Sequence, residues 1–218
     1  MQIKPIARSI PMTRACTVLQ RIVVVCDGTV SGDAAPSLAD AISRSTSAIV
    51  RAVTWLPASV ISAIHLLGST PIETFLETVT RQLYRTTTRV GFWRLELLVG
   101  NPSRALARIC REEEATLIIV PGQLCDAGAG PQLTLETELP VACVFDHVAE
   151  DEERVLLSAP SDPRSQRSAR IAAAVIATLH PVGRYRSTHN SGRWRTLPPI
   201  HVDVRTVHAS EQVTHPVA

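Results

Sequence analysis

LELLVGNPSRALARICREEEATLIIVPG, Leu95 to Gly122, is the stretch whose reading decides the fold. Leu95, Leu97, Leu98 and Val99 form a short apolar run that stops at Gly100. Asn101 follows as a helix N-cap, because its side-chain oxygen can accept from the free amides of a first turn. Pro102 suits the first helical position, where no N–H is needed. Ala105, Leu106, Ile109 and Cys110 then share one helical face, and Arg104, Arg108, Arg111 and Glu112 lie off it. Leu117 to Val120 is continuously apolar, as a strand buried on both faces must be, and Pro121-Gly122 ends it. Strand, helix and strand in this order make a right-handed βαβ unit of a parallel sheet. The chain reads as α/β.

Moving outward, Arg21 to Cys26 (RIVVVC) is another buried-strand run, closed by Asp27-Gly28-Thr29. In an open α/β sheet ligands bind beyond the carboxyl ends of the strands, so Asp27 stands where a ligand would be met, or simply caps the turn. A first helix starts at Asp33 or Ser37 around Pro36, with Leu38, Ala41, Ile42 and Ser45 facing inward. Ala48 to Leu56 is a second strand, stopped by Pro57. From Ala52 to Ile72 there is no charged residue, but Pro57, Ser59, Ser62, His65, Gly68 and Pro71 interrupt the run, so it reads as a strand plus an apolar connection and not as a membrane span. Thr70-Pro71 opens a second helix, with Glu73 completing a capping box and Ile72, Phe75, Leu76, Val79 and Leu83 at helical spacing. Val90 to Val99 is the third strand, with Phe92 and Trp93 packing on the sheet, and Pro140 to Phe145 is the last of five.

V-G-N-P, an amphipathic helix and an L-I-I-V-P-G strand, with D-G-T closing the first strand and P-V-A-C-V-F at the end, resemble the universal stress protein family. That resemblance implies an open five-stranded parallel sheet of order 3-2-1-4-5 with helices on both faces, like the adenine nucleotide alpha hydrolases. It implies an adenine-nucleotide cleft in which Asp27, with Gly28 and Thr29, holds the ribose or base edge, Val53 packs on the adenine and Gly122 lets backbone approach the ligand. It also implies a homodimer joined through the edge strand Val141–Phe145, since pairing hides an exposed edge. The phosphate loop departs from the family pattern: Cys125 takes the place of the second glycine, no G-[ST] pair follows, and Gly128 and Gly130 stand at another spacing. ATP or another adenine nucleotide is therefore the candidate ligand, none is expected to be required, and binding is expected to be weak or absent. The implied role is a regulatory module that acts on a protein partner, not an enzyme.

Composition fits this reading. The chain has 218 residues, enough for one α/β domain and a smaller addition. Residues 1–153 carry 13 basic and 17 acidic side chains, whereas 154–218 carry 9 and 3. The boundary falls at the acidic run Glu150 to Glu153. The domain reading is a tail over 1–20, a main domain over 21–147, an acidic linker over 148–153 and a truncated second repeat over 154–218. In that repeat Arg154 to Ala159 is a strand, Ser161-Asp162-Pro163 a turn, Ser168 to Leu179 a helix and Ile200 to Val207 a strand. Too small for a core of its own, it should pack on the first domain by extending its sheet past Val141–Phe145, or stay loosely ordered. The loop 180–199 mixes Arg184, Arg186, Arg193 and Arg195 with Tyr185 and Trp194. Nothing beside it resembles a nucleic-acid module, so nucleic acid is not an expected partner. His201 and His208, seven residues apart, do not suit a metal. Five cysteines without a C-x-x-C pair argue against a disulfide framework. Cys26, Cys110 and Cys143, inside apolar runs, read as buried thiols of a cytoplasmic protein.

Overall fold

The computed structural model describes residues 19–87, 93–98, 102–124, 129–147, 152–179 and 201–207. Seven strands among them form one sheet: β1 (Arg21–Val25), β2 (Ile49–Trp55), β3 (Arg94–Leu98), β4 (Leu117–Pro121), β5 (Val141–His147), β6 (Glu152–Pro160) and β7 (His201–Val207). Their order is β3-β2-β1-β4-β5-β6-β7. The pairings from β3 to β5 are all parallel, β5 and β6 are antiparallel, and β6 and β7 are parallel again. The order 3-2-1-4-5 is thus present with β1 inside it, and the count of five becomes seven because the C-terminal segment extends the sheet.

Along β1 successive side chains feed two cores, as the two-residue period of a strand requires. Ile22 and Val24 join Leu38 and Ile42 of α1 (Ala34–Thr46), while Val79 and Leu83 of α3 (Thr70–Thr86) complete that side. Val23 and Val25 face the other way. There they meet Leu106 and Ile109 of α4 (Pro102–Glu112) and Leu133 of α5 (Ala129–Thr137). The last helix, α6 (Pro163–Thr178), places Ile171, Ala172, Val175 and Ile176 in the first of these cores, beside Val155 and Leu157 of β6. The C-terminal segment therefore shares a core with the main domain.

Several expectations are corrected. β5 is not an edge: β4 occupies one side and β6 the other, over the full run Val141 to Ser158 through His147 to Glu152. From Val141 to Val144 both of its sides are taken by strands of the same chain, so β5 is not the exposed edge through which the homodimer was expected. Glu152 and Glu153, assigned to a linker, begin β6. Leu19, assigned to the tail, is fully buried in the core. The apolar connection after β2 contains a helix, α2 (Ala58–Leu67), which no amphipathic period announced. The N-cap of α3 is Ser69, not Thr70, and it makes no capping hydrogen bond. In α1 the inner face is shifted by one position, so that Ala39, Ser43 and Thr46 are buried with Leu38 and Ile42. Cys26 and Cys110 are free and buried, but Cys143 is disulfide-bonded. An apolar setting suits a half-cystine as well as a thiol, which is why the sequence could not separate them. Asn101, Cys125, Gly128 and the loop 180–199 also lie outside the described residues.

Candidate functional site

β1 and β4 are neighbours, but the chain leaves β1 toward β2 and leaves β4 toward β5. Loops that diverge in this way open a crevice at the carboxyl ends of the strands, the usual ligand position in open α/β sheets. Asp27, Gly28 and Thr29 form one lip, following β1, and Gly122 and Gln123 form the other, in a 3-10 turn after β4. The structure thus brings Asp27, Gly28, Thr29 and Gly122 to one place.

Within the first lip the Asp27 carboxylate turns onto its own loop. Its Oδ1 accepts from the Thr29 amide at 2.9 Å, and its Oδ2 accepts from the Thr29 hydroxyl at 2.9 Å. The Thr29 hydroxyl in turn accepts from the Gly32 amide at 3.0 Å. The carboxylate lies so close over Gly32 that a Cβ there would stand 2.1 Å from Oδ1. Gly28 has φ +78, a conformation glycine adopts without strain. Its amide donates to Gln82 Oε1 at 2.9 Å, and Gln82 Nε2 donates to Asp27 Oδ1 at 3.2 Å and to the Thr29 carbonyl at 2.9 Å. Gln82, on α3, is fully buried. Beside it Arg85 grips Asp33 through two hydrogen bonds of 2.8 and 2.7 Å. Across the crevice Gln123 Nε2 donates to the Ser31 carbonyl at 2.9 Å, which ties the two lips together.

The remaining expected residues are placed differently. Val53 is fully buried among Val23, Val25, Leu98 and Leu106, so its side chain offers no face to a base; its carbonyl accepts from the Cys26 amide at 2.8 Å. Gly122 is buried beneath Phe145, whose Cδ1 would lie 2.3 Å from a Cβ at that position. Its lack of a side chain serves that packing. Gly130 is the second residue of α5, and its carbonyl accepts from the Thr134 hydroxyl at 2.9 Å. Burial, then the charges of Asp27 and Asp33, pushes the Cys26 thiol far above its ordinary range, so it is held neutral behind the loop.

Sequence reasoning missed Gln82, Gly32, Arg85 and Gln123. Gln82 had a signal: it lies three residues after Val79 and directly before Leu83, on the apolar stripe of α3. A polar side chain there must find buried partners. Among the described residues no group of three or more His, Cys, Asp or Glu is placed to hold a metal ion, and no helix is long and apolar enough to cross a membrane.

Sheet order, crevice and helices on both faces define a doubly wound α/β domain with an acidic loop at its switch point. Universal stress proteins are among the solved structures similar to it. One, a universal stress protein in complex with cAMP, is 21% identical and matches over 59% of this chain and 98% of its own, with a TM-score of 0.43. Another, from the universal stress protein family of Burkholderia pseudomallei, is 19% identical over 57% of this chain and 95% of its own, with a TM-score of 0.43. A protein from Mycobacterium tuberculosis H37Rv is 23% identical over 45% of this chain and 68% of its own, with a TM-score of 0.33. No family model and no curated protein matches the chain.

Proposed function

We propose that this chain is a universal-stress-like regulatory module whose nucleotide cleft is degenerate, and that it works in a stress response through contacts with another protein and not through catalysis. The observation that supports this best is the state of Asp27. Three hydrogen bonds from Thr29 and Gln82 already occupy its carboxylate. On the phosphate side Gly122 is packed under Phe145, and Gly128 and Gly130 do not stand at the family's spacing. ATP carries several negative charges, and losing two or three charge-assisted hydrogen bonds at roughly 1.5–3 kcal/mol each weakens binding by on the order of a hundredfold or more. Asp27 has the wrong sign to replace them.

Calorimetric titration with ATP tests the reading. The expected result is no saturation below the millimolar range. Micromolar affinity that disappears in Asp27→Ala would replace it with that of an ATP-binding module with a rebuilt phosphate loop. Cytoplasmic placement belongs to the same proposal. The Cys143 disulfide stands against it, since such bonds are rare in reducing compartments. Counting thiols in protein trapped by acid at lysis decides that point.

A further inference from the structure

A primary amide is an expensive group to bury without partners. Gln82 is completely buried and commits both ends of its amide to the β1–α1 loop: Oε1 to the Gly28 N–H, Nε2 to Asp27 Oδ1 and the Thr29 carbonyl. From the opposite side Gly32 makes room for the carboxylate that no larger residue could give, because a Cβ would stand 2.1 to 2.7 Å from its three terminal atoms. Thr29 adds an amide and a hydroxyl. A carboxylate has about four acceptor sites, and three of them are filled from within the chain. Arg85, one turn along α3 from Gln82, is engaged with Asp33.

We propose that Gln82, Thr29 and Gly32 form a latch that holds the Asp27 carboxylate inside its loop, and that a ligand carrying a vicinal diol, such as the ribose of a nucleoside, is admitted only when this latch is released. The inference rests on the reading of the crevice given above and supplies its cause. Two adjacent hydroxyls need two free acceptor positions on one carboxylate, and the latched Asp27 offers one. Released, the same carboxylate stands at the switch point, where such a diol can donate to both oxygens. The apparent affinity of the closed chain is then lowered by the small fraction of molecules in which the loop is open.

Two substitutions release the latch by separate routes. Gly32→Ala places a Cβ where the carboxylate sits, and the clash is relieved by rotating Asp27 outward; the backbone there needs no positive φ. Gln82→Met keeps the length of the side chain and removes its donor and acceptor. Adenosine is the probe, because it has a diol and no phosphate and so does not involve the glycine loop. In the unsubstituted full-length chain the Gly28 and Thr29 amides should be protected from hydrogen exchange and adenosine should bind only weakly. Protection of the Thr29 amide should fall in Gly32→Ala and that of the Gly28 amide in Gln82→Met, and adenosine affinity should rise tenfold or more in both. 2′,3′-Dideoxyadenosine should gain nothing, and adding Asp27→Ala should cancel the gain. Unprotected Gly28 and Thr29 amides in the unsubstituted chain, or no gain in a folded Gly32→Ala variant, overturn the latch while the weak-binding reading stands. Micromolar ATP binding by the unsubstituted chain overturns that reading instead.

Discussion

At the end of β1 the chain runs from Cys26 to Asp33 before α1 begins, whereas at the end of β6 only Ser161 and Asp162 separate strand from helix. Both junctions carry the pattern strand, aspartate, helix, and they use the aspartate differently. Asp162 is extended (φ −68, ψ 147) and caps α6, accepting from the Arg164 and Ser165 amides at 2.9 Å, with Pro163 in the first turn. Asp33, at the N-cap of α1, is helical (φ −64, ψ −26) and caps nothing; it holds Arg85. The short junction consumes its aspartate on the helix. The long one leaves Asp27 at the mouth of a crevice, and the loop then has to restrain it.

Direction separates the two regions further. β6 runs antiparallel to β5, so Val141 at the start of β5 lies opposite Ser158 near the end of β6. The Asp162 turn therefore lies at the other end of the sheet from Asp27. The Ser165 hydroxyl, donating to the Glu138 carbonyl at 3.2 Å just before β5, marks the place. Right-handed crossover fixes the rest: α4 and α5, between parallel strands, cover one face, and reversing the strand sends α6 to the opposite face beside α1. A repeated pattern in sequence thus makes no second crevice beside the first.

The largest expected effect comes from removing the second region. Val155, Leu157, Ile171, Val175 and Ile176 are each at most 8% exposed, and burying them is worth roughly 10 kcal/mol together. That is comparable with the whole stability of a domain. A chain ending at His147 would also expose the edge of β5. It should associate or aggregate, as read by light scattering. A monomeric product with an unchanged melting temperature would show the two regions to be independent.

Next in size is a pair of core substitutions, one on each side of the comparison. Leu117 in β4 and Leu157 in β6 are both 0% exposed. Leu117→Ala and Leu157→Ala should each cost about 3 kcal/mol in urea unfolding, with one transition in both cases. A second transition confined to Leu157→Ala would divide the core that the structure joins.

How much of this could be read from sequence follows the same division. Apolar runs such as Arg21 to Cys26 and Leu117 to Val120 announced the inner strands, and the motifs around Gly100 and Gly122 announced their order. The direction of β6 had no such signal, because pairing depends on the turn before it and not on the pattern inside it. α2 escaped because ASVISAIHLL is apolar without a period. At the crevice Asp27 was legible as the residue after a buried strand. Its latch was not, since Gln82 lies more than fifty residues away in sequence and a glycine such as Gly32 shows its use only once a side chain is seen against it.

A smaller effect, on the order of 1 kcal/mol, is expected from Asp162→Ala, which leaves two amides of α6 without their acceptor. The bonds from Ser165, side chain first and amide second, hold the Asp162 carboxyl below its ordinary 3.8. A depressed carboxyl stabilises the fold above its unfolded value and loses that contribution as pH falls through the folded one. Acid titration of stability should therefore be shallower below pH 4 in the variant. Asp33→Ala, by contrast, should act through the loss of Arg85 and leave the helix cap unaffected.

The smallest effect separates two kinds of cysteine within the first region, the thiols Cys26 and Cys110 and the disulfide-bonded Cys143 of β5. Burial raises Cys110 from 9.0 to about 12, and burial with Asp27 and Asp33 raises Cys26 further still. A thiol whose folded value is raised gives its full stabilisation below the unfolded value, here 9.0, and loses it as pH climbs toward the folded one. Stability should fall between pH 9 and 12, and Cys110→Ala should flatten part of that slope. Cys143 is disulfide-bonded and adds nothing to it. In native protein at neutral pH neither Cys26 nor Cys110 should react with iodoacetamide, since the thiolate is the nucleophile and both are held as buried thiols. After denaturation without reductant both should be labelled and Cys143 should not. Labelling of Cys143 would remove the disulfide and make all three cysteines of the first region buried thiols.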